Sequence, residues 1–294
     1  MLTKSPSTYP VTHHRTKTIK DIDIFYREAG SPSAPAVVLL HGFPTSSHMF
    51  RNLIPFLADE YHVIAPDLPG FGLSGMPPRE DFEYSFANFA DIVDELLETL
   101  EVDRYVLYVM DYGAPTGFRL ALKHPDRVAG IVTQNGNAYE DGLQGFWDPI
   151  RALWKENSPQ NRDALRPFMS LEITKFQYLD GVADQSRIDP SNWIVDQHFL
   201  DRPGNEEIQL DLFYDYRNNV ALYPKFQEYF REYKPPMLVA WGAKDSIFPA
   251  AGANAFLRDN PDAELHLLDS GHFAFEDKAD VIVPLMRDFL GRVY

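Results

Sequence analysis

A chain of 294 residues with 45% hydrophobic and 24% charged residues is long enough to bury a core and too apolar to be disordered. Its 43 acidic and 27 basic side chains leave a net charge of −16, which argues against basic-patch recognition of nucleic acid or an anionic membrane surface. It has no cysteine, which removes thiolate nucleophiles, cysteine-ligated zinc, iron–sulfur clusters and disulfides, and fits a reducing cytoplasm.

The first 20 residues scatter Lys, His, Arg and Thr without an apolar run, so no signal peptide is expected. Short apolar runs follow, each ending in a turn signal and far short of the roughly 20 residues of a membrane helix. Ala36–Leu40 runs into His41-Gly42-Phe43-Pro44, and His62–Ala65 into Pro66-Asp67-Leu68-Pro69-Gly70. The segment Gly70-Phe71-Gly72-Leu73-Ser74-Gly75 has the glycine spacing of a dinucleotide fingerprint. Met76-Pro77-Pro78 follows it instead of a helix, so tight turns are expected there and not a nucleotide site. Ser85 is placed to cap a helix whose apolar residues Phe86, Phe89, Ala90, Val93, Leu96, Leu97 and Leu100 share one face.

Tyr105–Val109 runs into Met110-Asp111-Tyr112-Gly113. A helix should open near Ala114 and stop at His124, because Pro125 disfavours helical geometry in the residue before it. Val128–Val132, Met237–Trp241 and Leu265–Leu268 complete the strand set. Such runs suit a parallel sheet buried on both faces, and their alternation with helices predicts an α/β fold. The interval from about 138 to 233 breaks the rhythm. It carries Trp147, Trp154, Phe168, Phe176, Tyr178, Trp193, Phe213, Tyr214 and Tyr216 among polar residues. It reads as a helical cap domain (138–233) inserted into a core domain (1–137 and 234–294), with most of its aromatics packing and some lining an apolar pocket.

The chemistry centres on Asp111, which sits where a buried strand turns sharply into a helix. This is the setting of a nucleophile elbow, with Asp111 at the tip where Gly-x-Ser-x-Gly would place a serine. Close approach of strand and helix needs small residues two positions either side; Gly113 meets this and Val109 is larger than usual. Asp245, in Trp241-Gly242-Ala243-Lys244-Asp245, and His272, in Ser270-Gly271-His272-Phe273, each follow a later strand, giving the order nucleophile, acid, histidine. The remaining histidines, His13, His14, His48, His62, His124, His198 and His266, have no metal-ligand spacing, so neither a metal nor another cofactor is implied.

On these residues the sequence resembles, over nearly its whole length, the epoxide hydrolase and haloalkane dehalogenase branch of the α/β-hydrolases. That branch attacks with an aspartate. The matching pieces are His41-Gly42-Phe43-Pro44, Asp67-Leu68-Pro69-Gly70-Phe71-Gly72, Asp111, Asp245 and His272. The resemblance implies Asp111 as nucleophile, His272 as base, Asp245 as orienting acid, and the backbone N–H groups of Phe43 and Tyr112 as oxyanion hole. It also implies a hydrogen bond of His41 within its turn. Gln134 and Asn135 follow the strand where some relatives carry the acid, and neither is ionisable. Met110, Val109 and Tyr112 stand where His, Gly and Trp are common in the family.

A carboxylate attacking an ester would give a mixed anhydride, whereas attack on an sp³ carbon gives a stable alkyl ester for a histidine-activated water to cleave. The expected partners are therefore a small apolar organic substrate and water. Family dehalogenases hold the halide with N–H groups from a Trp after the nucleophile and from an Asn or second Trp. Tyr112 and Phe43 occupy the first two places here, leaving a cap residue such as Trp147. Fluoroacetate-type relatives carry arginines where Tyr112 and Pro115 stand. An epoxide oxygen needs a proton donor, and family epoxide hydrolases use cap tyrosines. Tyr214-Asp215-Tyr216-Arg217-Asn218 resembles the segment that bears one, so Tyr216 is the expected donor, with Tyr178 or Tyr139 as the second. The expected activity is epoxide hydrolysis to a vicinal diol. The alternatives are hydrolysis of a carbon–halogen bond, a non-catalytic ligand-binding relative, and cofactor-free oxygen chemistry on the same scaffold.

Overall fold

The computed structural model describes residues 10–294; the expectation of no signal peptide falls partly on residues 1–9, outside the described residues. Two strands precede those read from sequence. β1 (His13–Ile19) and β2 (Ile22–Ala29) form an antiparallel hairpin across Lys20-Asp21, both at positive φ (47° and 61°). Two such residues match the right-handed twist of the flanking strands. The hairpin escaped the apolar-run criterion because β1 is exposed along His13–Thr18 and carries no alternating pattern.

The other strands are β3 (Ala36–Leu40), β4 (His62–Pro66), β5 (Tyr105–Met110), β6 (Val128–Gln134), β7 (Met237–Gly242) and β8 (Glu264–Leu268). They join one eight-stranded sheet in the order β1-β2-β4-β3-β5-β6-β7-β8. Pairing is antiparallel at β1–β2 and β2–β4 and parallel from there on. β5 shows why its run is apolar throughout: Tyr105, Leu107 and Val109 enter the core on one face of the sheet, and Val106, Tyr108 and Met110 enter it on the other.

The helices are α1 (Ile54–Leu57), α2 (Phe86–Thr99), α3 (Gly113–Lys123), α4 (Asp148–Lys155), α5 (Pro159–Asp163), α6 (Leu171–Leu179), α7 (Ser191–Leu200), α8 (Asn205–Tyr233), α9 (Ala250–Asp259) and α10 (Ala274–Val293). Ser85 caps α2 by accepting from Asn88 N at 3.3 Å, and α3 stops before His124 and Pro125. Between β6 and β7 the described elements are helices: α4 to α8 and short 3₁₀ turns. α8 ties them to the sheet. Its Phe226 and Phe230 rings pack on Phe118 of α3 at 5.5 and 5.3 Å, while Phe213, more than two turns earlier, reaches Phe43 at 5.4 Å. Among the described residues no helix is long and apolar enough to cross a membrane.

Candidate active site

Asp111 lies between β5 and α3 at φ +46°, a left-handed conformation that a non-glycine residue holds only where its surroundings over-determine it. Close packing does so here. A Cβ on Gly113 would lie 2.2 Å from the Leu40 carbonyl oxygen, so strand and helix meet at backbone distance. A Cβ on Gly117 would lie 2.5 Å from Val109 Cγ1. The bulk that Val109 adds to the elbow is thus accommodated one helical turn further on. Phe43 N donates to Asp111 Oδ1 at 2.6 Å, and the Tyr112 backbone N–H also favours the charged carboxylate. Burial nevertheless pushes the Asp111 carboxyl up to about 6, against the downward pull of His272 and those two N–H groups.

His272 follows β8, and its Nδ1 lies 2.8 Å from Asp245 Oδ2, in the loop after β7. Its Nε2 is buried without a hydrogen-bond partner and lies 3.9 Å from Asp111 Oδ2. Burial pulls the imidazole down, but Asp245 first and then Asp111 outweigh it and hold the pKa above its ordinary value. Asp245 is fixed in turn: its Oδ1 accepts from Ile247 N at 2.7 Å and its Oδ2 from Asn135 Nδ2 at 2.7 Å. Asn135 Oδ1 accepts from Gly242 N at 2.9 Å, and Gln134 Nε2 donates to the His272 carbonyl at 2.7 Å. Gln134 at the end of β6 and Asn135 just after it therefore brace the His272 backbone and Asp245, a role their lack of charge did not reveal.

His41 joins the loops behind the elbow. Leu68 N donates to its Nε2 at 3.0 Å, so the other nitrogen carries the proton and donates to Gly42 O at 2.9 Å. Asp67 closes the glycine-rich loop by accepting from Ser47 N and Leu73 N at 2.7 and 2.8 Å. This leaves no helix N-terminus for a phosphate at that loop. Elsewhere, Asp94, Glu98 and His124 bring ligand-type atoms within 4.8 Å of one another. Asp94 is already engaged there by Lys123 at 3.0 Å, His124 at 2.9 Å and Arg127 at 3.1 Å.

A cavity opens beside Asp111, walled by Phe43 and Tyr112 from the sheet side and by Phe146, Trp147, Phe168, Gln177 and Phe213 from the helices. Of the expected pocket residues, Trp147 lines it, but its indole N–H donates to Ile247 O at 2.8 Å and is not free to hold a halide. Tyr216 does not. It stands behind the wall, 4.5 Å from Trp147 and 6.3 Å from Tyr112 between ring centroids, and its hydroxyl lies 3.3 Å from that of Tyr223. The two tyrosines are two turns apart on one face of α8, so their buried hydroxyls satisfy each other. Tyr178 is also displaced: its hydroxyl donates to Asp196 Oδ2 at 2.5 Å and its ring stacks on Phe273 at 4.0 Å. Tyr139 packs edge-on against Phe256 at 4.9 Å, on the α9 side. Neither borders the cavity.

Sequence reasoning missed Gln177, the immediate neighbour of Tyr178. Adjacent residues on a helix point about 100° apart, and Tyr178, named for its phenol, turns to Asp196 and Phe273 while Gln177 turns to the cavity. Phe213 carried a usable signal, lying three residues before Tyr216 on the same helix.

This fold and site define an α/β enzyme whose strand-to-helix elbow carries a carboxylate facing a histidine–aspartate pair. Residues 35–279 match the alpha/beta hydrolase fold family. An uncharacterised hydrolase of Saccharomyces cerevisiae is 47% identical over 267 residues, covering 90% of this chain and 91% of that one. A haloalkane dehalogenase of Bradyrhizobium diazoefficiens is 43% identical over 107 residues, 36% of this chain and 34% of that one. Among solved structures, a loop variant of a haloalkane dehalogenase from Bradyrhizobium elkanii matches with a TM-score of 0.77 at 21% identity, over 97% of this chain and 98% of that one. The chain belongs to the α/β-hydrolase fold family and is a hydrolase.

Proposed function

We propose that this hydrolase opens a small apolar epoxide to a vicinal diol through an alkyl ester on Asp111, with the helical segment 138–233 acting as a cap over a core of residues 1–137 and 234–294. The observation that carries the reading is the placement of a free, buried His272 Nε2 at 3.9 Å from Asp111 Oδ2, with Asp245 behind it. A carboxylate in the nucleophile position suits attack on an sp³ carbon, and the aromatic wall suits an apolar substrate. In the first step an Asp111 oxygen bonds to a ring carbon, the carbon–oxygen bond breaks, and the oxygen takes a proton from a donor. In the second step His272 takes a proton from water, and the hydroxide attacks the ester carbonyl. The Phe43 and Tyr112 N–H groups stabilise the resulting oxyanion. Collapse releases the ester's alkoxide, which takes the His272 proton to complete the diol. The second proton of the water, left on the Asp111 carboxyl, returns to the donor, so that carboxylate, histidine and donor are all restored.

The choice of leaving group rests on the donors. The indole N–H of Trp147 is held by Ile247 O and that of Trp154 by Phe213 O, both at 2.8 Å, and Phe43 has no side-chain donor. Among the described residues Tyr112 is the one tyrosine lining the cavity, and its buried hydroxyl has no partner. We therefore assign the proton donation to Tyr112 and withdraw it from Tyr216. A second reading, carbon–halogen hydrolysis, is favoured by the partial identity to a haloalkane dehalogenase.

One variant separates the two. His272→Gln should permit ester formation and stall its hydrolysis, so an adduct accumulates on Asp111. Intact mass spectrometry should show a gain of the whole substrate for an epoxide and of the alkyl group alone for a haloalkane. Absence of any adduct across a panel of both would overturn the reading.

A further inference from the structure

We infer that Gln177 is the substrate-orienting residue of the helical wall, its side-chain amide donating to the atom that leaves carbon in the first step. This rests on the reading that Asp111 forms an alkyl ester. Gln177 is only 3% exposed, yet it lines the cavity with Asp111, and among the described residues its side-chain amide has no protein hydrogen-bond partner. A side-chain amide that lines a cavity without a protein partner is left to a ligand or water for its hydrogen bonds. Asn192 and Asn219 on these helices are also unpartnered but do not line the cavity, and the other candidate donors are committed. Trp147 and Trp154 donate to carbonyls, Tyr178 donates to Asp196, and Tyr216 pairs with Tyr223.

Among the described residues Gln177 is thus the one uncommitted side-chain donor that the helices bring to the cavity lining. The leaving atom departs on the side away from the attacking carboxylate oxygen, within the cavity that Gln177 and Tyr112 both line. As the carbon–oxygen bond breaks, the oxygen gains charge and the Gln177 N–H bond to it strengthens, so the contact favours the transition state over the ground state. The proton itself comes from Tyr112, because an amide does not ionise. The substrate class that follows is a small apolar molecule with one hydrogen-bond acceptor at the reacting carbon. The same donor would serve a halide, so Gln177 sets where the leaving atom lies and Tyr112 decides whether an oxygen can be protonated there.

The test uses the full chain and a small aryl epoxide as probe. In the His272→Gln background, Gln177→Met keeps the side chain's length and removes the amide. It should slow adduct accumulation by about 10-fold or more, and Gln177→Asn should restore part of the rate. With His272 intact, the decay of the ester once formed should be the same in Gln177→Met as in the parent, because the bond between the leaving atom and the attacked substrate carbon is then already broken. Equal adduct rates with and without the amide, or equal slowing of formation and decay, would overturn the inference. Failure of the parent His272→Gln protein to form any adduct would instead overturn the Asp111 reading.

Discussion

The two walls of the cavity use their polar groups in opposite ways. On the sheet side nearly every one is tied: Asp111 to Phe43 N, His272 to Asp245, Asp245 to Asn135 and Ile247, and Asn135 to Gly242. The free ones there are His272 Nε2 and the Tyr112 hydroxyl, the positions where the proposed chemistry needs a base and an acid. On the helical side the rings pack on one another, and their N–H and O–H groups are taken up by Ile247 O, Phe213 O, Asp196 and Tyr223. Among the described residues that line the cavity from this side, Gln177 is the exception. A braced wall can hold reacting groups in place, whereas an aromatic wall selects by shape and excludes water. In the proposed reaction, chemistry falls to the sheet side and selection to the helices between β6 and β7.

The sharpest way to break this comparison is to remove one phenol from each side. Tyr112→Phe, on the sheet side, should lower epoxide turnover by roughly 10² while leaving hydrolysis of a preformed ester intact. Tyr216→Phe should cost far less, since its hydroxyl serves Tyr223, which keeps Asn137 at 3.2 Å as a partner. Steady-state rates on one epoxide check both, and the reverse ranking would return the donor role to the helices.

A smaller effect is expected from loosening the brace. Asn135 sits at φ +48°, which Asn tolerates better than most residues, and it connects Asp245 to Gly242. Asn135→Leu should slow ester hydrolysis by about 10-fold through a misoriented Asp245–His272 pair, with ester formation little changed. Single-turnover kinetics separate the two steps; equal slowing of both would mean that Asn135 supports the fold and not the pair.

The gentlest probe is pH. With the Asp111 carboxyl at about 6, ester formation should fall as pH drops through 6, because the protonated acid is not a nucleophile. Stability should move the other way. The folded chain binds this proton at a pH where the unfolded carboxyl, near its ordinary 3.8, does not. Between those values Asp111 therefore favours the fold more as pH falls, a trend that Asp111→Asn should remove from thermal-melting curves. Ester hydrolysis requires neutral His272, whose raised pKa places that limb on the alkaline side of 6.5. A formation rate flat from pH 4 to 7 would exclude ionised Asp111 as the attacking group.

By itself the sequence determined the parallel strands, the elbow at Asp111 and the order of Asp245 and His272. Each of these is encoded locally, in an apolar run followed by a particular turn, so a few neighbouring residues suffice to read it. The β1–β2 hairpin was not legible because its exposed edge has no face to bury and its pattern is set by pairing with β2. Asn135 was passed over because its value lies in bridging Asp245 and Gly242, which are distant in sequence. The helical wall is where tertiary structure alone decided. Trp147, Phe213 and Gln177 line the cavity while Tyr216, Tyr178 and Tyr139 do not, although all six are of suitable type. For Gln177 and Tyr178 on α6, and for Phe213 and Tyr216 on α8, which side chain turns inward depends on the rotation of the helix about its axis. About 100° of phase separates neighbours, and packing against other helices, not residue type, sets that phase.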